Sequence, residues 1–210
     1  MRYNYYEGVM RDKRFPVWII WFLVVLALLG AVYAAITYFA PVMVSMPLTA
    51  KSSADATLRA MEATPPAMAP HLYLPTLNVD IPVAFGGDQT ALGTGGWQRT
   101  AGVTPDQKKN LAICAQQFVL GVTPWQTKEH SPFYNLGKLA SSEQLYFDYK
   151  GKRYAYRVTE VAELTDDGTQ AEAPGDSAQL TLFLCSGDGS AAAGPVVQAK
   201  QIGPVSAVTY

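Results

Sequence analysis

Two cysteines and two histidines bound the nucleophilic and metal chemistry open to this 210-residue chain. Cys185 closes the apolar run Leu180–Cys185. A period of two there puts Leu180, Leu182 and Leu184 on one face and Thr181, Phe183 and Cys185 on the other. A thiol at a strand end, just before the flexible small-residue loop Ser186-Gly187-Asp188-Gly189-Ser190, stands where a nucleophile could meet a substrate. The same residue also reads as a small buried apolar side chain, because cysteine is among the most buried residue types. Cys114 lies in a second apolar run, Leu111–Phe118. His130 sits in the loop Thr127–Ser131 beside Lys128 and Glu129 and reads as an exposed loop residue, with a base for Cys185 as the alternative. His71 reads as irrelevant to chemistry. Two cysteines are too few for a disulfide-rich scaffold or an all-cysteine zinc site. No metal cluster and no cofactor motif is found. The acidic stretch from Asp166-Asp167 to Glu172 reads as a solvated loop rather than a calcium site.

The elements that must position Cys185 are mostly strands. Leu72–Leu74, Val79–Val83, Leu111–Phe118, Gln144–Tyr149, Arg153–Leu164, Leu180–Cys185 and Val196–Ile202 are short apolar or alternating runs separated by Gly, Pro and Asp. Lys150-Gly151-Lys152 between two of them is a hairpin signal. Helix is sparse, with one possible turn near Phe133–Leu139. The pattern is mainly β, a closed barrel or a sandwich.

Ahead of this region the chain changes character. No charged residue occurs between Arg14 and Lys51, and Val17–Ala40 is apolar almost throughout. As a helix its 24 residues would rise roughly 36 Å, more than the ~30 Å hydrocarbon core needs. It is too long for the apolar part of a cleaved signal, and it lacks the polar stripe of a core helix. We therefore expect one N-terminal transmembrane helix. Arg2, Arg11, Lys13 and Arg14 outnumber Glu7 and Asp12 before it, which places residues 1–16 in the cytoplasm and everything after Pro41 outside. Residues 41–70, rich in Ala, Ser, Thr, Met and Pro, read as a stalk with a helical turn around Asp55–Glu62, and 71–210 as the β-domain. A net charge of −1 offers no basic stripe for DNA or RNA.

Several motifs together resemble the sortases, membrane-anchored cysteine transpeptidases of the bacterial cell surface. Leu72-Tyr73-Leu74-Pro75 is similar to their first strand, and Ala91-Leu92 with Gly95-Gly96-Trp97 to their ALxxGxW segment, with Thr104-Pro105 downstream. Phe133-Tyr134-Asn135-Leu136 with Lys138-Leu139 resembles FxxLxxL. Thr181–Cys185 resembles the TLxTC strand, and Val196-Val197-Gln198-Ala199-Lys200 the strand after it. The resemblance covers roughly residues 72 to 202. It implies a sortase-like closed β-barrel with short helices at the cell membrane. It also implies as partner an envelope or surface protein or peptide carrying a sorting-type signal.

Of the family's three catalytic residues, the resemblance carries over only the nucleophile, Cys185. The histidine position falls on Gln116 and the arginine position on Gly194; Leu184 replaces the usual threonine before the cysteine. Glutamine removes acid–base help typically worth ~10²–10⁴ in rate. Glycine removes an oxyanion donor worth roughly 10²–10³. Lys200 is not at a catalytic position, and Arg99, Arg153 and Arg157 are the arginines of residues 71–210 that could substitute, the last two in a strand where exposed charges are ordinary. The resemblance also sets the strand ending near Gln116 beside the one ending at Cys185. Cys114 and Cys185 then either pair as a disulfide or remain two buried thiols. Three functions stay open: an impaired pseudo-sortase that binds a peptide or envelope protein, an active transpeptidase with a non-standard base and oxyanion donor, and a structural envelope domain.

Overall fold

The computed structural model describes residues 17–43, 65–86, 89–93, 95–165 and 168–205. The basic flank before Val17, the expected helical turn around Asp55–Glu62 and the Asp166-Asp167 pair lie outside the described residues.

Helix α1, Val17–Met43, is apolar along its length, with only Pro41 in its last turns to interrupt the hydrogen-bond ladder. None of the most apolar window of its Val17–Val42 stretch is buried inside the protein, and it is long and apolar enough to cross a membrane. Contacts divide the chain into two compact units, one ending at Ile36 and one beginning at Thr37. The last turns of α1 therefore belong to the second unit. There Tyr38 stacks edge-on against Phe118 at 5.4 Å, and the Asn135 side-chain amide donates to Pro41 O at 3.2 Å.

Eight strands form the rest: β1 (His71–Leu74), β2 (Val79–Ala84), β3 (Gly96–Gln98), β4 (Asn110–Ala115), β5 (Gln144–Tyr149), β6 (Lys152–Leu164), β7 (Gln179–Leu184) and β8 (Gly194–Val205). They close into a barrel in the order β1-β2-β3-β4-β7-β8-β6-β5, with β5 returning to β1. The fold is mainly β, as expected, and the closed barrel decides against a sandwich. Pairs β2–β3 and β4–β7 are parallel and the others antiparallel. Inward-facing Leu72, Leu74, Leu111, Ile113, Leu180 and Leu182 fill the interior with Phe133, Phe147 and Tyr156. Among the described residues, two short α-helices ride on the connections, α2 (Pro124–Glu129) and α3 (Thr169–Glu172).

The β5–β6 hairpin turns as its sequence asks. Lys150 (φ 50°) and Gly151 (φ 72°) both take positive φ, the two-residue turn whose twist matches the flanking strands. That register sets Asp148 opposite Arg153. Arg153 is a correction to the sequence reading: it is not an exposed strand charge but buried, donating through Nε and an Nη to the Asp148 carboxylate at 2.7 and 2.8 Å. Asp148 also accepts from Ala67 N, and Ala67 and Met68 carbonyls accept from the hairpin turn. The chain is thus bound to the barrel from Ala67 onward. His71 pairs with Asp80 across β1–β2.

The Arg153 guanidinium lies 5.2 Å from the Tyr73 ring centre. Burial, and next the Asp148 charge, push the Tyr73 phenol up to about 12. A phenol that ionises near ~10 when unfolded favours the fold fully below that pH and loses its contribution as pH rises toward the folded value. Denaturant unfolding of Tyr73→Phe should therefore show a flatter decline above about pH 10 than the parent chain. Identical declines would remove Tyr73 from the alkaline transition.

Candidate active site

The site begins with β4 and β7, paired in parallel from Asn110↔Gln179 to Ala115↔Leu184. Parallel strands buried on both faces need apolar side chains on both. The inner face of β7 supplies Leu180, Leu182 and Leu184 to the barrel core, and the outer face presents Phe183 and then Cys185. Cys185 N donates to Ala115 O at 2.9 Å, which carries the parallel register one residue past the strand. β4 ends at Ala115, not Phe118. Gln116 follows on the same outer face as Cys114, and the chain then leaves the sheet.

Cys114 and Cys185 are joined in a disulfide, with Cα atoms 5.5 Å apart across 71 residues of sequence. A bond closing a loop of that size typically stabilises by about 2–4 kcal/mol. Neither sulfur is open to solvent: Cys114 is 0% exposed and Cys185 3%. Together with Phe183 they form a second apolar cluster outside the barrel, covered by Leu92, Leu164, Ala171 and Val196 and flanked by Trp97 and Ala191.

Polar groups hold this cover in place. Asn110 donates from Nδ2 to Ala171 O and Ala173 O, both at 2.9 Å, while its Oδ1 accepts from Thr181 Oγ1 at 2.7 Å. These bonds are what fold residues 169–172 into α3 over the strands. Arg99 links three segments: it stacks on Trp97, donates from Nε to Glu172 at 2.7 Å and from Nη1 to Gly189 O at 2.7 Å. Glu172 is therefore half-buried and paired, a correction to the reading of this stretch as solvated loop. Gly168, at φ 91°, lies so close to Ala191 that an added Cβ would sit 2.7 Å from the Ala191 methyl.

The loop after Cys185 is also tighter than its composition suggests. Ser186 N bonds Ser190 O, and Asp188 accepts from both Ser190 N and Ser190 Oγ. The Ser190 bonds hold the Asp188 carboxyl below its ordinary range. Gly189 O lies 3.7 Å from Cys185 Sγ, which brings the Arg99 guanidinium to the edge of the sulfur's surroundings.

The sequence candidates divide into those brought together and those placed elsewhere. Gln116 is half-buried beside the post-cysteine loop: a Cβ added at Gly187 would lie 3.1 Å from its Nε2. Gly194 opens β8 opposite Leu164 at φ 142°, and a Cβ there would approach Leu184 Cδ1 to 2.6 Å. His130 instead closes α2, its backbone N–H bonded to Gln126 O. Arg153 is committed to Asp148, and Arg157 and Lys200 are exposed on paired strands. Sequence reasoning named Arg99 only as one arginine among three and missed Leu92, Ala171 and Glu172 as cover. The signal for Arg99 was its position two residues after Trp97, which gives both side chains one face.

A family model described as Sortase domain matches residues 72–202. This chain belongs to the sortase family. Solved sortases share the fold at low identity. A sortase D5 transpeptidase of Clostridium perfringens superposes with TM-score 0.52 at 16% identity, covering 71% of this chain and 88% of that one. Sortase A of Listeria monocytogenes gives 0.53 at 18%, covering 66% and 89%. Sortase E1 of Streptomyces coelicolor, solved with a tripeptide in its active site, gives 0.51 at 16%, covering 67% and 96%. No curated protein sequence matches significantly.

Gly194 lies at a φ of 142° that favours glycine, and a Cβ there would press on the end of the buried Leu184 side chain. Gly194→Arg should destabilise the protein by about 1–3 kcal/mol from the positive φ alone, and further through Leu184. Denaturant midpoints compared with Gly203→Ala, another positive-φ glycine but with open space around its Cβ position, check this. A Gly194→Arg protein as stable as the parent would mean that the strand can rearrange to accept a cation there.

Proposed function

We propose that this sortase-family protein is a membrane-anchored, extracytoplasmic pseudoenzyme that binds a cell-envelope protein or peptide without cutting it. The observation that carries the reading is the state of Cys185. Its sulfur is bonded to Cys114 and sealed under Leu92, Leu164 and Ala171, so no thiolate is available to attack a carbonyl. Two further features support it. Gln116, beside the cysteine loop, exchanges no proton near neutral pH, and Gly194 offers no cation for an oxyanion and has a φ that disfavours any side chain. The exposed apolar helix α1 supports the anchor. A disulfide also belongs to an oxidising compartment, which agrees with an outward-facing barrel and an inward-facing basic flank.

One observation favours a second reading. Arg99 stands one carbonyl away from the Cys185 sulfur. With the disulfide reduced and Arg99 released from Glu172, Arg99 would be a cationic donor of the kind the Gly194 position lacks, and His130 at the end of α2 would be the remaining base.

The test is turnover of sorting-signal peptides by the full chain in detergent, with an amine acceptor, with and without reductant. Our reading expects no product beyond that of Cys185→Ala under either condition, and peptides recovered intact from whatever complex forms. Product that requires reductant and disappears in both Cys185→Ala and Arg99→Gln would replace the pseudoenzyme with a redox-gated transpeptidase.

A further inference from the structure

Outside α1, the exposed apolar side chains of the described residues are concentrated in one short segment. Outside α1, the described large apolar side chains left exposed are Met68, Phe118, Leu120, Val122, Trp125 and Ile202, and four of these six fall within residues 118–125. Leu120 is 60% exposed, Trp125 71% and Val122 81%. Scattered apolar residues need no explanation, but a contiguous group does.

The segment is not free to fold these side chains inward. Val119 N donates to Ser131 Oγ, Gly121 N to Thr127 Oγ1, and Val122 N to Gln126 Oε1, at 3.0 to 3.1 Å. Thr127 is fully buried and Ser131 nearly so. Gly121 is pressed against α2 so closely that a Cβ would lie 2.5 Å from Gln126 Cβ. Thr123 caps α2 in a reciprocal capping box with Gln126, and Pro124 opens the helix. The backbone is therefore fixed with its apolar side chains pointing out.

What covers them follows from where the segment is tied. Phe118 packs on Tyr38, and Asn135 bonds the Pro41 carbonyl, both in the last turns of α1. About 20 helical residues cross the hydrocarbon core, so counting from Val17 puts its far edge near Thr37 and leaves Tyr38 and Phe39 at headgroup depth. A ring stacked on Tyr38 stands at that depth too. Trp125 is a residue type favoured in that layer. Lys128, whose Nζ lies 5.7 Å from the Trp125 ring centre, can extend its ammonium to the phosphates.

We propose that residues 118–125, with Lys128, form a membrane-contact surface that inserts Leu120, Val122 and Trp125 into the headgroup layer of the bilayer that α1 crosses. The inference rests on α1 being a membrane span. Apolar side chains dominate the patch, so contact should persist with uncharged lipid and change little with salt.

The test uses the full chain in phosphatidylcholine vesicles, with a nitroxide on a single introduced cysteine, labelled without reductant so that the paired cysteines stay inert. Labels are placed at Val122→Cys, at Trp125→Cys, at Leu26→Cys in the span, and at Met68→Cys beside the Lys150–Gly151 turn at the opposite end of the barrel. Collision with oxygen relative to a water-soluble nickel complex reports depth. We expect deep values at Leu26, aqueous values at Met68, and ratios several-fold above Met68 at Val122 and Trp125. A deep Leu26 with aqueous Val122 and Trp125 overturns the contact surface while leaving the anchor intact. An aqueous Leu26 overturns the anchor itself. Spin–spin broadening between Val122 labels, without oxygen access, would give the patch to a second copy of the chain and overturn the lipid assignment.

Discussion

The parallel pairing of β4 with β7 is the constraint on which the rest of the molecule depends. A parallel pair in the wall of a closed barrel must bury one face inside, and here it buries the other as well. The inner face draws in the leucines of both strands. The outer face carries Cys114, Phe183 and Cys185, and burying it requires a cover. Residue-level devices supply that cover: Asn110 holds the α3 backbone, Arg99 ties Glu172 to the post-cysteine loop, and Gly168 lets the connection approach Ala191. With the cover in place the cysteines belong to a second core.

Seen this way, the disulfide and the cover act in the same direction. Both put the sulfur of Cys185 out of reach, one by bonding and one by exclusion. The neighbouring backbone has adapted to the same state. Gly194 has a φ of 142° that side chains rarely adopt, and a Cβ there would push the Leu184 methyl out of the core. A fold hosts whatever chemistry its site permits, and in this sortase-family barrel Cys185 is bonded to Cys114.

Much of the fold was legible because its signals are local. The alternation through Leu180–Cys185 assigned both faces of β7 correctly, and Lys150-Gly151 announced the hairpin. The register of that hairpin, which sets Asp148 opposite Arg153, comes from the structure and is what buries an arginine whose strand position alone suggests exposure. The reading of Thr127–Ser131 as loop missed that its first three residues end helix α2, whose start is marked by the capping box of Thr123 and Gln126. Other features were not local. Strand β3 has three residues and no alternation of its own, and it is fixed by pairing to Val83, Ala84, Ile113 and Cys114. Helix α3 has four residues and depends on Asn110, some sixty positions earlier. The ending of β4 at Ala115 reflects Phe118 turning toward Tyr38 and Tyr134, contacts that no window of sequence around it contains.

The central claim is that Cys185 serves as half of a structural bond rather than as a nucleophile. The most direct measurement is the intact mass of the full chain, quenched with iodoacetamide in the membrane where it is made, before and after reduction in denaturant. The account predicts no alkylation before reduction and two alkyl groups afterwards, one on Cys114 and one on Cys185. A chain alkylated at Cys185 without reductant would show an accessible thiol and contradict it.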